Sequence, residues 1–164
     1  MPWKGEKDPY KIWVSEIILQ QTRVDQGYDY YIRFLDRFPD VAALATTGEE
    51  DVLSVWKGLG YYSRARNMHS TAKYVVDNLS GVFPSDHATL LKLKGIGGYT
   101  AAAISSICAN EPNPVVDGNV VRVLSRVYGF MKPAGSSQSQ KMVYAKAGEL
   151  ISHENPGDFN QAVM

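Results

Sequence analysis

Cysteine is almost absent from this chain, in which Cys108 is the single one among 164 residues. One thiol cannot close an internal disulfide, and it cannot supply the set of thiolates that holds an iron–sulfur cluster. A disulfide scaffold and a cysteine-ligated cluster are therefore excluded within these residues. Cys108 lies in an apolar stretch, so we expect it to pack among apolar neighbours in a reducing compartment.

A charge imbalance and long apolar runs are also missing. The 17 Lys and Arg residues balance the 17 Asp and Glu residues, so no net basic field attracts a polyanion. No stretch approaches the ~18 consecutive apolar residues of a membrane-spanning helix, and we expect no secretory leader and no membrane partner. With 45% hydrophobic residues, the chain has enough apolar material for one domain with a real core.

Alternating apolar and polar residues, the pattern of β-strands, do not occur over a useful length. Apolar residues recur instead at helical spacing, and capping signals open helices at Asp8-Pro9, at Thr47 in a capping-box pattern, and at Asp117. We therefore predict an all-α fold of about eight to ten short helices in one globule. Further helices are predicted over residues 23–38, 68–79, 85–93 and 98–109, and a turn over 131–138. The core candidates of the helix over 23–38 are Tyr28, Tyr31, Ile32, Phe34 and Leu35.

The first predicted helix, residues 10–20, is apolar on nearly every side, as expected for a helix inside a core. Its one acid is Glu16. On a helical wheel this side chain falls between Ile12, Trp13 and Leu19. Burial disfavours the charged form and raises the pKa of a carboxyl, which can then stay protonated near neutral pH and donate a proton. The alternative is a structural glutamate that a hydrogen bond or an arginine satisfies.

A glycine-rich segment over residues 91–104 joins the end of one helix to the start of another. Gly95, Gly97 and Gly98 permit backbone conformations and close approaches that other residues forbid. The free N–H groups and the positive dipole end of the second helix suit a phosphate. The alternative is an ordinary helical hairpin with a glycine cap, and the spacing alone leaves both interpretations open.

Residues 57–67 combine two glycines, two tyrosines and three cations. An aromatic loop of this kind, with Tyr61 beside Arg64, suits base stacking and phosphate contact. The alternative is a turn between helices whose tyrosines pack on the core. For Asp117 the plain alternative is an N-cap of the following helix, and one residue can serve both purposes.

Several of these segments resemble one known family. Gly95-Ile-Gly-Gly-Tyr-Thr-Ala and Val116-Asp-Gly-Asn-Val resemble the hairpin and aspartate signature of the endonuclease III superfamily of DNA glycosylases. The segments Trp-Val-Ser-Glu-Ile-Ile-Leu-Gln-Gln-Thr over 13–22 and Gly-Leu-Gly-Tyr-Tyr-Ser-Arg-Ala-Arg-Asn over 58–67 are similar to MutY-type adenine glycosylases. The likeness spans essentially the whole chain.

The resemblance implies a fold and a domain organisation. The fold is an endonuclease III-like six-helix barrel with a helix-hairpin-helix, mainly over residues 22–135, that lacks the iron–sulfur module. Residues 1–21 and 136–164 belong to a flanking half-domain. Because Met164 stops inside an apolar helix with no C-cap, we expect residues 1–164 to be one catalytic-domain fragment.

The function implied by the resemblance is a base-excision-repair enzyme that hydrolyses the N-glycosidic bond of adenine mispaired with 8-oxoguanine or guanine. Glu16 would be the general acid and base, and Asp117 would stabilise the developing sugar cation. Tyr99 stands where strand-cleaving relatives carry a lysine, so the enzyme should be monofunctional, with Tyr99 and Asn119 holding Asp117 in place. The alternatives are a T:G or U:G mismatch glycosylase of the same superfamily and a non-catalytic hairpin module that grips DNA.

The resemblance also implies how double-stranded DNA would be held. Gln20 would insert beside the 8-oxoguanine, Thr22 would contact that base, and Tyr61 would wedge next to it, with Arg64 close by. The phosphate-binding backbone would be that of Gly95, Gly97, Gly98 and Tyr99. A monovalent cation, K⁺ or Na⁺, would bind the backbone oxygens of Leu91, Leu93 and Ile96.

The sequence departs from the family at several points. The family carries four cluster cysteines after the last helix seen here, so a [4Fe-4S] cluster is expected in the full-length protein and no cofactor in this chain. Lys4 stands where the family usually has an arginine, which is not an equivalent residue for bidentate contacts. We expect a monomer that works on DNA in a bacterial cytoplasm.

Overall fold

The computed structural model of the chain describes residues 5–130 and 136–164. Lys4 and most of the turn predicted over 131–138 lie outside these ranges. The described residues contain no strand, and the all-α prediction is confirmed. The helices are α1 (Pro9–Leu19), α2 (Val24–Arg37), α3 (Val41–Thr46), α4 (Glu49–Trp56), α5 (Ser63–Asn78), α6 (His87–Leu90), α7 (Gly98–Cys108), α8 (Gly118–Val127), α9 (Ser137–Leu150) and α10 (Pro156–Val163). Within the described ranges, no helix has the length and apolarity needed to cross a bilayer.

Helix α1 is buried on nearly every side within the larger of the hydrophobic cores. It packs against α2 and α7, and the ring of Trp13 lies 4.6 Å from the ring of Phe83. Each buried side chain of this size contributes roughly 1.5–3 kcal/mol, so α1 is held firmly. Because α1 shares this core with α2–α7, the boundary expected at residue 22 stays a prediction.

The start of α1 follows the predicted signal, since the carboxylate of Asp8 accepts a hydrogen bond from the Tyr10 N–H at 2.9 Å and Pro9 is the first helical residue. The end of α1 is less ordinary. The helix stops at Leu19 with Gln20 as its C-cap, one residue before the predicted end, and the next residue, Gln21, adopts a left-handed conformation with φ of +57°. A tight turn therefore follows the buried helix.

A smaller core lies between α8 and α9, around Val120, Leu124, Val143 and Ala147. Helix α10 packs against α7. At their crossing Gly157 lies so close to α7 that an added Cβ would be 2.9 Å from the backbone oxygen of Ser106. The absence of a side chain at Gly157 is what lets the two helices meet.

The structure corrects several local expectations. Helix α5 begins at Ser63, five residues before the predicted start, because Tyr62 is already in the right-handed helical conformation. The capping box at Thr47 is wrong: Gly48 is the N-cap of α4, and the Thr47 hydroxyl instead donates to the Asp51 side chain at 3.3 Å. Helix α6 ends at Leu90. The Leu91 N–H still bonds four residues back, to His87, but the N–H groups of Lys92 and Leu93 bond only three residues back.

The expected burial of α2 is also only partly right. Tyr31 and Phe34 are buried, but Tyr28 and Ile32 are exposed, because α2 has a single core-facing side and these two residues lie outside it. Cys108 is half-buried, and burial raises the pKa of its thiol to about 12. This thiol is a packing residue and not a reactive one.

We expect Gly157→Ala to destabilise the fold by about 1–3 kcal/mol, because the new methyl group would push α10 off the α7 backbone. Gly148→Ala is the matched control. Gly148 is an exposed residue within α9 with open space around it, so alanine there should stabilise by about 0.5–1 kcal/mol. Urea denaturation of both variants measures the two effects, and equal effects would contradict the close crossing.

Candidate active site

A cleft of about 580 Å³ opens where α1, α7, α10 and the start of α8 meet. Among the described residues, its lining consists of Ile12, Ser15, Glu16, Leu19, Gln20, Tyr99, Ile107, Asp117, Asn119, Gln161 and Met164. The four residues predicted to be catalytic, which come from three distant parts of the sequence, all lie in this one cleft. The two acids therefore open into the same cavity.

Glu16 enters the cleft from the middle of the apolar helix α1. Burial raises the pKa of its carboxyl to about 7. No hydrogen bond or ion pair to this carboxyl occurs among residues 5–130 and 136–164, so nothing described there offsets the cost of its charge. Ile12 and Leu19 border the cleft beside it as expected, but Trp13 does not, because its ring stacks on Phe83 in the core.

Asp117 lies directly before the first turn of α8, whereas Glu16 lies in the middle of its helix. Its Oδ1 accepts a hydrogen bond from the Val120 N–H at 2.8 Å, and its Oδ2 accepts one from the Asn119 side chain at 3.3 Å. The oxygen of the Asn119 amide in turn accepts a hydrogen bond from Arg122 at 3.1 Å. Asp117 is therefore an N-cap and a cleft residue at once, and its capping bonds fix where the carboxyl stands.

Tyr99 is the second residue of α7 and lines the cleft together with both acids. Burial raises the pKa of its phenol, and the negative charges of Glu16 and Asp117 raise it further. The hydroxyl donates to the sulfur of Met164 at 3.5 Å, a weak interaction. The side chain at position 99 is therefore a neutral phenol at neutral pH, and it carries no amine.

A second depression adjoins the cleft, and Gln20 lines both. Tyr61 borders this depression with 65% of its surface exposed and with a left-handed φ of +47°. The Arg64 guanidinium lies over this ring, 5.7 Å from its centroid, and the DNA contact expected for Tyr61 stays a prediction. Thr22 lies in the neighbouring turn, where its hydroxyl donates to the Gln20 carbonyl at 3.4 Å.

Arg64 lies beneath these two segments. Its terminal nitrogens donate to the backbone carbonyls at the end of α1, those of Ile17, Ile18 and Gln20, and to those of Leu59 and Gly60. The end of a helix leaves such carbonyls without partners, so this guanidinium joins α1 to the 57–60 loop. Because these nitrogens are already bonded to the backbone, the phosphate contact expected for Arg64 stays a prediction.

In the glycine segment only Gly95 needs the conformational freedom of glycine, with φ of +80°. A Cβ at Gly95 would also lie 2.8 Å from the Cβ of Asn67. Gly97 and Gly98 have ordinary φ angles and open space around them, so they leave the start of α7 accessible. Gly97 caps α7 without a side-chain bond, so no side chain satisfies the first N–H groups of this helix. The anion site expected there stays a prediction.

The three carbonyls expected to hold a monovalent cation, those of Leu91, Leu93 and Ile96, lie in the first half of this segment. The Leu93 carbonyl accepts a hydrogen bond from the Ile96 N–H at 3.2 Å, and the Leu91 side chain is exposed. No three His, Cys, Asp or Glu side chains come together as a metal site in the described ranges. Cys108 alone cannot hold an iron–sulfur cluster, so the residues present do not fit that group.

Sequence reasoning missed four residues that line the cleft: Ser15, Ile107, Gln161 and Met164. Ser15 precedes Glu16 on α1, and a wider arc of the helical wheel would have included it. The other three come from the crossing of α7 and α10. No local pattern in the sequence announces that crossing.

Known proteins resemble this chain along its length. The family profile described as HhH-GPD superfamily base excision DNA repair protein matches residues 14–153. An adenine DNA glycosylase of Buchnera aphidicola subsp. Baizongia pistaciae is 39% identical over 164 residues, which cover 100% of this chain and 46% of that protein. An adenine DNA glycosylase of Rattus norvegicus is 41% identical over 173 residues, which cover 100% of this chain and 34% of that protein. The chain spans less than half the length of these two relatives.

Solved structures share its architecture. A thermostable thymine-DNA glycosylase superposes with a TM-score of 0.90 at 26% identity, covering 100% of this chain and 76% of the other. A trapped endonuclease III–DNA covalent intermediate superposes with a TM-score of 0.80 at 22% identity, covering 94% and 71%. The expected endonuclease III-like fold is confirmed.

We expect Glu16→Gln to stabilise the fold more at high pH than at low pH. The pKa of Glu16 is about 7 in the folded chain against 4.5 for an ordinary glutamate, so the folded state keeps a proton that the unfolded state releases. The stability that this proton contributes is complete below about pH 4.5 and is lost as the pH rises through about 7.

Glutamine carries no charge at any pH, so it avoids this loss. The gain in unfolding free energy should be near zero at about pH 4 and on the order of 2 kcal/mol at about pH 8. Urea denaturation of both proteins at the two pH values measures it. An equal gain at both pH values would show that the carboxyl is either exposed or paired in the folded chain.

Proposed function

This chain belongs to the HhH-GPD superfamily of base excision DNA repair proteins, and we propose that it is the catalytic part of a DNA glycosylase acting on adenine mispaired with 8-oxoguanine or guanine. The observation that carries the proposal is the meeting of Glu16, Tyr99 and Asp117 in one cleft, with the two acids in unlike surroundings. The names of the relatives, which are adenine DNA glycosylases, support the choice of base.

The reaction begins when adenine leaves the base stack and enters the cleft, because the glycosidic bond is out of reach inside a duplex. Glu16, protonated near neutral pH through its burial, donates its proton to N7 of the base. The bond between N9 and C1′ of the sugar then breaks with its electron pair leaving on the adenine. Positive charge develops on the sugar as this happens.

Asp117 stabilises that positive charge, either through space or by a short-lived bond to C1′. Its hydrogen bonds to Val120 and Asn119 hold the carboxyl in place while the charge forms. Glu16, now a carboxylate, takes a proton from the attacking water, whose oxygen bonds to C1′. The products are free adenine and an abasic site, and Glu16 is protonated again.

The DNA is held around the cleft by the residues that the resemblance implies. Gln20 and Tyr61 face the opposite strand from the depression beside the cleft, with Thr22 in the adjoining turn. The exposed N–H groups at the start of α7, around Gly97 and Gly98, bind phosphate, and Gly95 shapes the turn that presents them.

The same hairpin also offers backbone oxygens as ligands for a cation. Those of Leu91, Leu93 and Ile96 are hard ligands that would suit K⁺ or Na⁺. Such a cation adds positive charge beside the phosphate.

A thymine-specific glycosylase is the second candidate. It is supported by the superposition on the thymine-DNA glycosylase, which covers the whole chain. That protein is 26% identical to this chain, whereas the adenine-specific relatives are 39% and 41% identical. We therefore favour adenine. A hairpin module without catalysis would give no purpose to the acid in α1, for which the described residues provide no partner.

The test is a single-turnover base-release assay on duplexes with A:8-oxoguanine, A:guanine and T:guanine pairs. We expect release of adenine only, and Glu16→Gln and Asp117→Asn should each lower the rate constant by about 10²- to 10⁴-fold. The rate should also fall as the pH rises above about 7, because Glu16 must be protonated at the start. Glu50→Gln, at an exposed position of α4, is the matched control and should leave the rate unchanged.

Release of thymine instead of adenine would transfer the assignment to the second candidate. DNA binding with no base release from any of the three duplexes would support the non-catalytic module. An adenine-release rate that is unaffected by both acid substitutions would refute the mechanism.

We expect the chain to leave the DNA strand intact, because Tyr99 has no amine that could form a Schiff base with the sugar. Borohydride should therefore trap no covalent protein–DNA complex with the natural sequence. Tyr99→Lys places an amine beside Asp117 in the same cleft and should give a trapped complex on gel electrophoresis. A complex trapped with the natural sequence would mean that another amine attacks the sugar and that the proposed monofunctional chemistry is wrong.

A further inference from the structure

Asn160 is a buried polar side chain of α10, with 2% of its surface exposed. Its amide nitrogen donates to the Ser106 hydroxyl at 3.0 Å and to the Asn113 carbonyl at 2.9 Å. Its amide oxygen accepts from the Val115 N–H at 3.1 Å. Both of its N–H groups and its oxygen are therefore bonded, and the residue joins α10 to α7 and to the segment 109–117.

The segment 109–117 is the part of the chain that delivers Asp117 to the cleft. It has no helix of its own, since α7 ends at Cys108 and α8 begins at Gly118. Val115 stands two residues before Asp117, a stretch that spans at most about 7 Å. Fixing the Val115 N–H thus restricts where the carboxyl of Asp117 can lie relative to α1.

We propose that Asn160 is a positioning residue for Asp117, which it holds at its place in the cleft through the backbone of Asn113 and Val115. The inference rests on the proposed function, in which Asp117 stabilises the sugar cation. Asn160 lines no part of the main cleft and touches no reacting atom; its neighbour Gln161 does the lining.

A purely structural role would be to attach α10 to α7, and the structure separates that role from positioning. Gly157 already brings α10 against the Ser106 backbone, and Asn160 adds one bond there, to the Ser106 hydroxyl. The two remaining bonds of Asn160 go to the segment that carries Asp117. Ser106→Ala therefore removes the hydrogen bond from Asn160 to α7 but keeps its two hydrogen bonds to the segment 109–117.

The experiment compares Asn160→Ala with Ser106→Ala and with Asn110→Gly. Asn110 is the matched control. Its exposed side chain also ties this segment to a later part of the chain, at the Glu154 carbonyl between α9 and α10, but it lies seven residues before Asp117. Glycine suits its left-handed φ of +55°. Each protein is measured for the single-turnover base-release rate constant, for duplex affinity, and for amide hydrogen exchange at Val115 and Val120.

We expect Asn160→Ala to lower the rate constant by about a hundredfold, as a shift of ~1 Å in a reacting group does, with affinity changed by less than about threefold. The Val120 N–H, which Asp117 caps, should exchange at least about tenfold faster, because the cap moves with the segment. Ser106→Ala and Asn110→Gly should change the rate and the Val120 exchange by less than about threefold.

A normal rate and normal Val120 exchange in Asn160→Ala would overturn the proposal, and so would equal losses of rate in all three variants. If Asn160→Ala does not fold, hydrogen exchange in the natural protein tests the proposal instead. A Val115 N–H that exchanges as fast as a free loop amide would show that Asn160 does not hold it and would overturn the proposal. Should the natural chain release no base, the proposed function fails, while the exchange measurements still answer whether Asn160 holds Asp117.

Discussion

The burial of a carboxyl for which the described residues provide no partner is the constraint on which this cleft depends. A charged carboxylate in such a place is costly, so Glu16 holds its proton at a pH where an exposed glutamate has lost it. That property requires a helix that holds the carboxyl among its apolar neighbours at the wall of the cleft. Helix α1 meets the requirement because its other sides are packed in the core and Arg64 bonds the carbonyls at its end. The packing of α1 therefore sets the proton affinity of the cleft.

The second acid owes its character to the opposite surroundings. Asp117 stands before the first turn of α8, where the Val120 N–H, which has no helical partner, and the Asn119 side chain both donate to its carboxyl. One acid is thus in the middle of a helix and accepts no hydrogen bond from the described residues, and the other is at a helix start and accepts two. The place of each acid in its helix creates this difference, which is what acid–base work by two carboxyls needs.

Much of this could be predicted from the sequence, because the signals are local. The apolar run around Glu16, the glycines before Tyr99 and the capping position of Asp117 each follow from spacing and residue type. The features that were predicted wrongly or not at all depend on contacts between distant parts of the chain. Tyr28 and Ile32 have the spacing of core residues but lie on a side of α2 that no other described helix covers. The part that Arg64 plays in holding the end of α1 was not predicted either, because the carbonyls that it bonds lie up to 47 residues away in the sequence.

The contribution of α10 was the least predictable part of the cleft, and it shows how the two acids come to share one cavity. Glu16 is fixed by apolar packing, which a hydrophobic pattern encodes directly. Asp117 lies at the end of an irregular segment, whose position depends on polar contacts with residues about 45 places further along the chain. Apolar packing tolerates small shifts, whereas a hydrogen bond lost inside a protein leaves a buried group unpaired. The distance between the two acids is accordingly controlled by a few polar contacts at the α7–α10 crossing and not by the size of the core.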